Sequence, residues 1–112
     1  MESKEALSAL SALGHDTRLR LFRRLVQAGP AGLWAGALAE AAGLRPNTAS
    51  TNLSILAAAG LVTATREGRA VRYRADMAGM QALRAFLMED CCGGRPELCA
   101  PVLERIGRSC CD

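Results

Sequence analysis

The stretch 35–61 constrains the fold of this chain most strongly, because it combines two helical patterns with the residues that end and restart helices. In its first half, small apolar residues recur at helical spacing: Ala37, Leu38, Ala41 and Ala42. Gly43 follows where helices commonly end in a left-handed residue. Pro46 then stands where the first turn of a helix tolerates a missing N–H. In the second half the expected inward residues are Leu53, Leu56 and Ala57, and Gly60 ends the pattern. The stretch therefore predicts a helix-turn-helix.

The outward face of the second helix carries short polar side chains. They are Asn47, Thr48, Ser50, Thr51 and Asn52, with Ser54 beyond them. An ordinary surface helix favours Glu, Lys and Arg, which have higher helix propensity. Short hydroxyls and amides suit hydrogen bonding to base edges and phosphates in a DNA major groove. This face predicts DNA recognition, and the alternative is a polar helix that only faces solvent.

The charge of the chain is concentrated around this motif. Residues 16–74 contain nine arginines against three carboxylates, a net charge of +6 in a chain whose total is +3. A basic surface that neutralises DNA phosphates displaces the counterions condensed on the DNA, and their release favours binding, although a basic face can also serve solubility alone. At 112 residues we expect one domain. No apolar run approaches the length needed to span a bilayer, and no signal peptide with a charged start and an apolar centre is evident, so we expect a cytoplasmic protein without membrane contact.

Two amphipathic helices are expected before the motif. The first covers 3–13, with Ser3 as N-cap and Leu7, Leu10 and Leu13 as its apolar line. The second covers 17–28, with Asp16 as N-cap; its apolar line is Leu19, Phe22 and Val26, flanked by Leu21 and Leu25. The single histidine, His15, is expected to be structural, and Trp34 is expected to pack across the start of the helix-turn-helix.

After Gly60 the hydrophobic period changes from helical to alternating. Val62 and Ala64 alternate with threonines, Glu67-Gly68 is predicted as a turn, and Val71 and Tyr73 alternate on the return. A hairpin directly after a helix-turn-helix is a wing. Its basic residues, expected at phosphates or in a minor groove, are Arg66, Arg69, Arg72 and Arg74.

Three segments together resemble the ArsR-type (ArsR/SmtB) winged-helix metalloregulators: ALSALGHDTRLRLFRRL, LAEAAGLRPNTASTNLSILAAAGLV and REGRAVRYRAD. The resemblance covers about residues 6–76. It implies a homodimer whose first and last helices pair across a two-fold axis, and a repressor of its own operon that an inducer releases. The usual inducer ligands of the family are missing, because 33–36 contains no cysteine and the last helix contains no histidine.

A last helix is predicted over 77–89, with Asp76 as N-cap. Met80, Leu83 and Leu87 form its apolar stripe, flanked by Phe86. Such a stripe either packs within the chain or faces a partner. On the resemblance and the frequency of two-fold dimers, we expect it to form a dimer interface with Leu7 and Leu10.

All five cysteines lie in the last 22 residues: Cys91, Cys92, Cys99, Cys110 and Cys111. Adjacent residues are too close for a standard disulfide, and an odd number in a cytoplasmic chain favours metal binding or thiol chemistry. Glycines at 93–94 and Pro96 predict a turn that brings Cys99 back to Cys91 and Cys92. Three thiolates without a fourth donor suit As(III) or Sb(III). Zinc requires a fourth ligand, which Cys110, Cys111, a carboxylate or the partner chain could provide. The segment also resembles arsenite sensors with a vicinal pair and a third cysteine after the last helix.

The sequence as a whole predicts a mainly α chain with a small β-hairpin, a winged helix-turn-helix that dimerises through its first and last helices. Residues 1–90 are the DNA-binding domain, and 91–112 are a cysteine-rich segment that binds the inducer. We expect a repressor that leaves operator DNA on binding As(III) or Sb(III) through Cys91, Cys92 and Cys99, with no organic cofactor. Cys110 and Cys111 are either further ligands or a tail.

The alternatives are a thiol-redox-switch regulator and a small thiol enzyme acting on arsenicals. The absence of a C-x-x-C motif and of a nucleophile–base pair opposes an enzyme.

Overall fold

The computed structural model describes residues 1–89, 93 and 97. Its helices are α1 (Ser3–Leu13), α2 (Asp16–Ala28), α3 (Ala35–Ala41), α4 (Pro46–Ala58) and α5 (Met77–Leu87). Its strands are β1 (Leu33–Trp34), β2 (Val62–Glu67) and β3 (Ala70–Ala75), and a 3-10 turn covers Gly29–Ala31. The predicted class, a mainly helical winged helix-turn-helix, is confirmed. No helix in this part of the chain is long and apolar enough to cross a bilayer.

The sheet contains three antiparallel strands in the order β1-β3-β2. The hairpin register runs from Val62 opposite Ala75 to Glu67 opposite Ala70, and Leu33 of β1 pairs with Tyr73 of β3. The sequence predicted only the hairpin, because two residues are too few to show a strand period. The turn is also one residue later than predicted: it consists of Gly68, with φ of 65°, and Arg69.

Alanines of α1 and leucines of the inner helices form the core. The buried residues of the first two helices are Ala6, Ala9, Ala12, Leu21, Phe22 and Leu25. The buried face of each of these two helices is therefore rotated about the helix axis from the predicted one. Four residues of the predicted apolar lines are exposed in the single chain: Leu7, Leu10, Leu19 and Val26. Small alanine side chains let α1 lie close to its neighbours, while Leu7 and Leu10 point away from them and only Leu13 is half-buried against the core. In α4 the inward residues are Ala49, Leu53 and Leu56, and Ala57 is exposed, contrary to prediction.

The helix starts agree with the prediction only in part. Asp76 caps α5 as expected, because its Oδ1 accepts a hydrogen bond from the N–H of Gly79 at 3.0 Å. Ser3 is the first residue of α1, and its predicted cap position belongs to Glu2, whose N–H donates to Glu5 Oε1. Asp16 is likewise inside α2, with His15 at the cap position.

The last helix packs against the body of the chain through Met80 and Leu83 of its stripe, whereas Leu87 is exposed. Leu83 is only 3% exposed in the single chain, and Met80 and Phe86 are half-buried against the same core. The prediction that Leu83 faces a partner subunit is therefore wrong. A Cβ at Gly79 would collide with the carbonyl oxygen of Gly60, so a glycine is required where α5 crosses the end of α4.

Candidate nucleic-acid interface

The two helices of the motif end in the same type of hydrogen-bonded turn. At the end of α3, Gly43 has φ of 66°, and the N–H of Leu44 donates to Ala39 O at 2.9 Å. At the end of α4, Gly60 has φ of 79°, and the N–H of Leu61 donates to Leu56 O at 3.0 Å. These are Schellman motifs, in which glycine adopts the left-handed conformation at little cost. They set the short connection to α4 and the direct step into the wing.

The α4 helix presents the predicted polar face to solvent. Asn47, Thr48, Ser50 and Thr51 are exposed, and Asn52 is half-buried at the edge of this face. The opposite side of the helix is fixed in the core, so the polar side chains are held on a rigid support. The structure thus brings all five predicted helix residues together on one accessible surface.

Two of these side chains are already hydrogen-bonded. The Thr51 hydroxyl donates to Asn47 O at 2.9 Å, and Asn52 Nδ2 donates to Thr48 O at 2.9 Å. Asn52 Oδ1 accepts a hydrogen bond from Arg18 Nη1 of α2 at 3.3 Å. The side chains of Thr48 and Ser50 have no hydrogen-bonding partner among the described residues, so they are free to bind a nucleic acid.

The wing, defined as β2, β3 and their turn, presents its basic residues on different sides. Arg69 lies in the turn and is exposed. Arg66 lies opposite Val71 and is exposed near the tip. Arg72 pairs opposite Thr65, and so projects from the other face of the hairpin. Arg66 and Arg69 form no ion pair or hydrogen bond with other described residues.

The remaining wing arginines bind the body of the chain. The Arg72 guanidinium lies 4.0 Å from the centroid of the Trp34 ring, donates to Ala31 O at 2.9 Å, and lies 3.7 Å from Glu67 Oε1. Arg74 donates to Pro30 O at 3.0 Å and to Thr65 Oγ1 at 3.1 Å. These contacts hold the wing against the 3-10 turn. The prediction that Arg72 binds DNA stays a prediction, and such binding would have to coexist with these contacts.

The sequence did not reveal the partners of Arg18 and Trp34. Trp34 precedes α3 as expected, but its ring contacts Arg72 of the wing. Arg18 contacts a residue 34 positions away. Periodicity identifies which face of an element is polar, but it cannot pair side chains on elements far apart in sequence.

The predicted metalloid ligands lie outside the described residues, as do Cys110 and Cys111. Within the described residues, no three His, Cys, Asp or Glu side chains form a group able to hold a metal ion. Residues 33–36, where the family resemblance would place inducer ligands, are β1 and the first two residues of α3 and contain no cysteine.

Comparisons with known proteins agree with this architecture. A family model described as a helix-turn-helix domain matches residues 13–64. The homodimeric winged helix-turn-helix DNA-binding domain of a possible ArsR-family transcriptional regulator from Mycobacterium bovis is 32% identical, with a TM-score of 0.61, over 78% of this chain and 81% of that one. The AntR antimony-specific transcriptional repressor is 33% identical, with a TM-score of 0.61, over 77% of each chain. An ArsR-like transcriptional regulator from Rhodococcus sp. RHA1 is 28% identical, with a TM-score of 0.67, over 92% of each chain. A comparison with curated protein sequences found no match.

The fold and the matching helix-turn-helix proteins define a winged helix-turn-helix DNA-binding protein. The chain belongs to the ArsR family of transcriptional regulators.

Proposed function

We propose that this protein is a homodimeric repressor that binds operator DNA and releases it on binding trivalent arsenic or antimony. The observation that carries the DNA-binding part is the polar face of α4, which is exposed while its opposite side is fixed in the core. In this proposal α4 enters the major groove, where its side chains contact base edges and phosphates. The groove residues are Asn47, Thr48, Ser50, Thr51 and Asn52.

The wing contributes phosphate or minor-groove contacts through Arg66, Arg69 and Arg72. Arg66 and Arg69 are exposed and without ion-pair partners among the described residues, so their charge is available to DNA. Phosphate contacts position the protein but carry no direct sequence information. The wing therefore supplies affinity, and α4 supplies specificity.

The dimer part of the proposal rests on exposed leucines and methionines in and next to α1 and α5. Leu7 and Leu10 of α1 are 66% and 42% exposed in the single chain. Met77 and Leu87 of α5 and the adjacent Met88 are also exposed, and α1 contacts α5. Apolar surface of this kind is favourable to bury against a second copy, and the Mycobacterium bovis domain is homodimeric. Two copies of α4 then meet half-sites in successive major grooves, about 34–36 Å apart.

The inducer part rests on the donor set of the cysteine segment. Cys91, Cys92 and Cys99 provide three thiols within nine residues, and 93–99 contains two glycines and a proline. Soft thiolates select soft ions, and an ion with a lone pair is satisfied by three sulfurs. The antimony-specific repressor among the similar structures supports a metalloid of this class.

Release of DNA follows from where these thiols occur in the chain. Cys91 is four residues after Leu87, the last residue of α5. The α5 helix packs on the core and belongs to the proposed dimer interface. A bound trivalent metalloid supplies a three-coordinate centre that draws the thiolates together. Moving the end of α5 would alter the angle between the two subunits, and hence the spacing of the two α4 helices. Both half-sites would weaken together.

Selection from random double-stranded DNA tests the DNA-binding part. We expect the purified protein to enrich a palindromic sequence with half-sites one helical turn apart. Replacing Ser50 by Ala should lower the affinity for the selected sequence more than the affinity for random DNA. Enrichment of no sequence at moderate salt would contradict a role in operator recognition.

X-ray absorption at the arsenic edge tests the thiolate site. We expect three sulfur neighbours per arsenic in protein loaded with arsenite, and fewer in the variant with Cys99→Ser. Retention of three sulfurs in that variant would exclude Cys99 as a ligand. The redox alternative predicts something different: peroxide alone would release DNA, and mass spectrometry would find a disulfide between Cys99 and Cys91 or Cys92.

A further inference from the structure

Arg18 joins three helices through a single guanidinium group. It lies in the first turn of α2 and is half-buried. Its Nε donates to Ala12 O at 2.7 Å, and its Nη1 donates to Asn52 Oδ1 at 3.3 Å. Ala12 belongs to the last turn of α1, and Asn52 lies in the middle of α4. The end of the first helix and the DNA-recognition helix therefore share one contact residue.

The contact with α1 holds the guanidinium in place. The carbonyls in the last turn of a helix have no donor within the helix, and Ala12 O is one of them. A positive charge at a helix C-terminus is also favourable, and α1 has no basic residue in its own last turn. Hydrogen bonds from a charged donor are stronger than neutral ones. The hydrogen bond to α1 thus fixes the guanidinium in a position from which it also donates to Asn52.

The contact with α4 fixes the orientation of the Asn52 amide. Its Oδ1 faces Arg18, while its Nδ2 donates to Thr48 O at 2.9 Å. A guanidinium can only donate hydrogen bonds, and a carbonyl can only accept them. An amide rotated by half a turn would lose both hydrogen bonds and place its NH₂ against a cation. One N–H and one lone pair of the amide remain available in the orientation observed.

We propose that Arg18 is a positioning residue for base recognition, which fixes the amide of Asn52 in one orientation and so determines which base edge Asn52 can bind. This inference rests on the proposed function, in which α4 enters the major groove. Arg18 itself contacts no base. Asparagine recognises adenine through both amide atoms, so their orientation decides the outcome of such a contact.

Operator selectivity at single base pairs tests this proposal. Each base pair of a selected half-site is replaced in turn, and fluorescence anisotropy measures binding to wild type, Asn52→Ala, Arg18→Ala and the double variant. We expect Asn52→Ala to abolish discrimination at one position, where one specific contact gives about 5- to 150-fold. Arg18→Ala should lose discrimination at the same position only, and the double variant should lose no more than either single one.

Arg18→Lys separates positioning from charge. Lysine keeps the positive charge but lacks the planar group that reaches two acceptors at once. We expect Arg18→Lys to bind random DNA with an unchanged salt dependence and still lose discrimination at the position read by Asn52. Arg23→Ala, on the exposed side of the same helix, is the matched control and should keep discrimination at every position.

Three results would overturn the proposal. The first is full selectivity at the position read by Asn52 in Arg18→Lys or Arg18→Ala. The second is an Asn52→Ala variant with unchanged selectivity. The third is an equal loss of affinity for all sequences in Arg18→Ala with a weaker salt dependence, which would identify a phosphate contact.

The free protein provides a test that does not depend on DNA. The ¹H–¹⁵N signals of the Asn52 side-chain amide should shift in Arg18→Lys and stay in place in Arg23→Lys. Unshifted signals in Arg18→Lys would contradict the proposed orientation whether or not the protein binds an operator. Failure of the wild type to select any DNA would instead refute the proposed function.

Discussion

The wing arginines differ in what their guanidinium groups already contact. Arg69 is exposed in the turn, whereas Arg72 stacks on Trp34 and donates to Ala31 O, with a side chain only 24% exposed. The alternation correctly predicted the hairpin that carries these arginines, but Arg72 and Arg74 are half-buried in it, while Arg66 and Arg69 are exposed. It could not predict the stack on Trp34, because that contact depends on β1, a strand of two residues.

Replacing Arg69 by Ala should weaken binding to all DNA sequences alike. The loss of one phosphate contact per subunit should reduce the slope of log affinity against log salt by about one unit per subunit. Thermal stability should stay unchanged, because Arg69 binds no other described residue. Anisotropy titrations at several salt concentrations measure the slope. An unchanged slope would remove Arg69 from the interface.

Replacing Arg72 by Ala should lower stability as well as DNA affinity. The stack on Trp34 and the hydrogen bond to Ala31 O together contribute about 1–2 kcal/mol. Thermal melting followed by circular dichroism should show the loss, and Arg69→Ala is the matched control from the same wing. Equal melting temperatures for the two variants would show that the contacts of Arg72 contribute nothing to stability.

At the scale of elements, apolar stripes predicted where helices form more reliably than they predicted which surface each stripe packs against. The stripe of α5 exists, but Leu83 packs within the chain, whereas Leu7 and Leu10 of α1 do not. Periodicity shows that a face is apolar without showing what covers it. The alanines of α1 were missed as core residues because leucine has the larger apolar surface, although only alanine allows the helices to approach closely.

Leu83→Ala should destabilise the single chain. Truncating a leucine that is 3% exposed removes buried contacts and leaves a cavity, at a cost of about 2–5 kcal/mol. Chemical denaturation should show this loss at protein concentrations low enough to populate monomers. Stability equal to that of the wild type would mean that α5 does not depend on Leu83 for its position.

Leu10→Glu should produce a folded monomer. Leu10 is 42% exposed in the single chain, so a charge is tolerated there, but it would be buried without a partner in the proposed dimer. Val26→Glu is the matched control, because Val26 of α2 is equally exposed, at 42%. Light scattering should find a monomer for Leu10→Glu and a dimer for Val26→Glu. A folded Leu10→Glu dimer would exclude α1 from the interface.

On the scale of the whole molecule, the proposed function requires that the α4 surface respond to thiols that lie more than 30 residues further along the chain. In the proposed function, binding of DNA and of the metalloid would be reciprocal: operator DNA would weaken arsenite binding by the same factor by which arsenite weakens DNA binding. Such coupling free energies are typically about 1–3 kcal/mol. The fold and the α4 face were predictable because local patterns encode them. The predicted inducer, As(III) or Sb(III), stays a prediction, because it depends on how the thiols of 91–112 lie relative to one another.

Arsenite affinity should fall as the pH is lowered. Ligation requires thiolates, and cysteine has an ordinary pKa of about 8.5, so protons compete with the metalloid. Isothermal titration calorimetry between pH 6 and 8 in buffers of different ionisation enthalpy would measure both the affinity and the protons released. An affinity independent of pH, with no proton release, would contradict thiolate ligation.

Release of labelled operator during an arsenite titration, followed by fluorescence anisotropy, tests most directly whether arsenite bound by the thiols releases DNA. The wild type should bind the operator and release it as arsenite is added. The double variant Cys91→Ser, Cys92→Ser should bind equally well and remain bound, while Cys110→Ser with Cys111→Ser should behave as the wild type if those residues are only a tail. Normal release by the Cys91→Ser, Cys92→Ser variant would contradict the proposed inducer site. No release by the wild type would contradict arsenite as the inducer and leave a winged-helix DNA-binding protein with a different one.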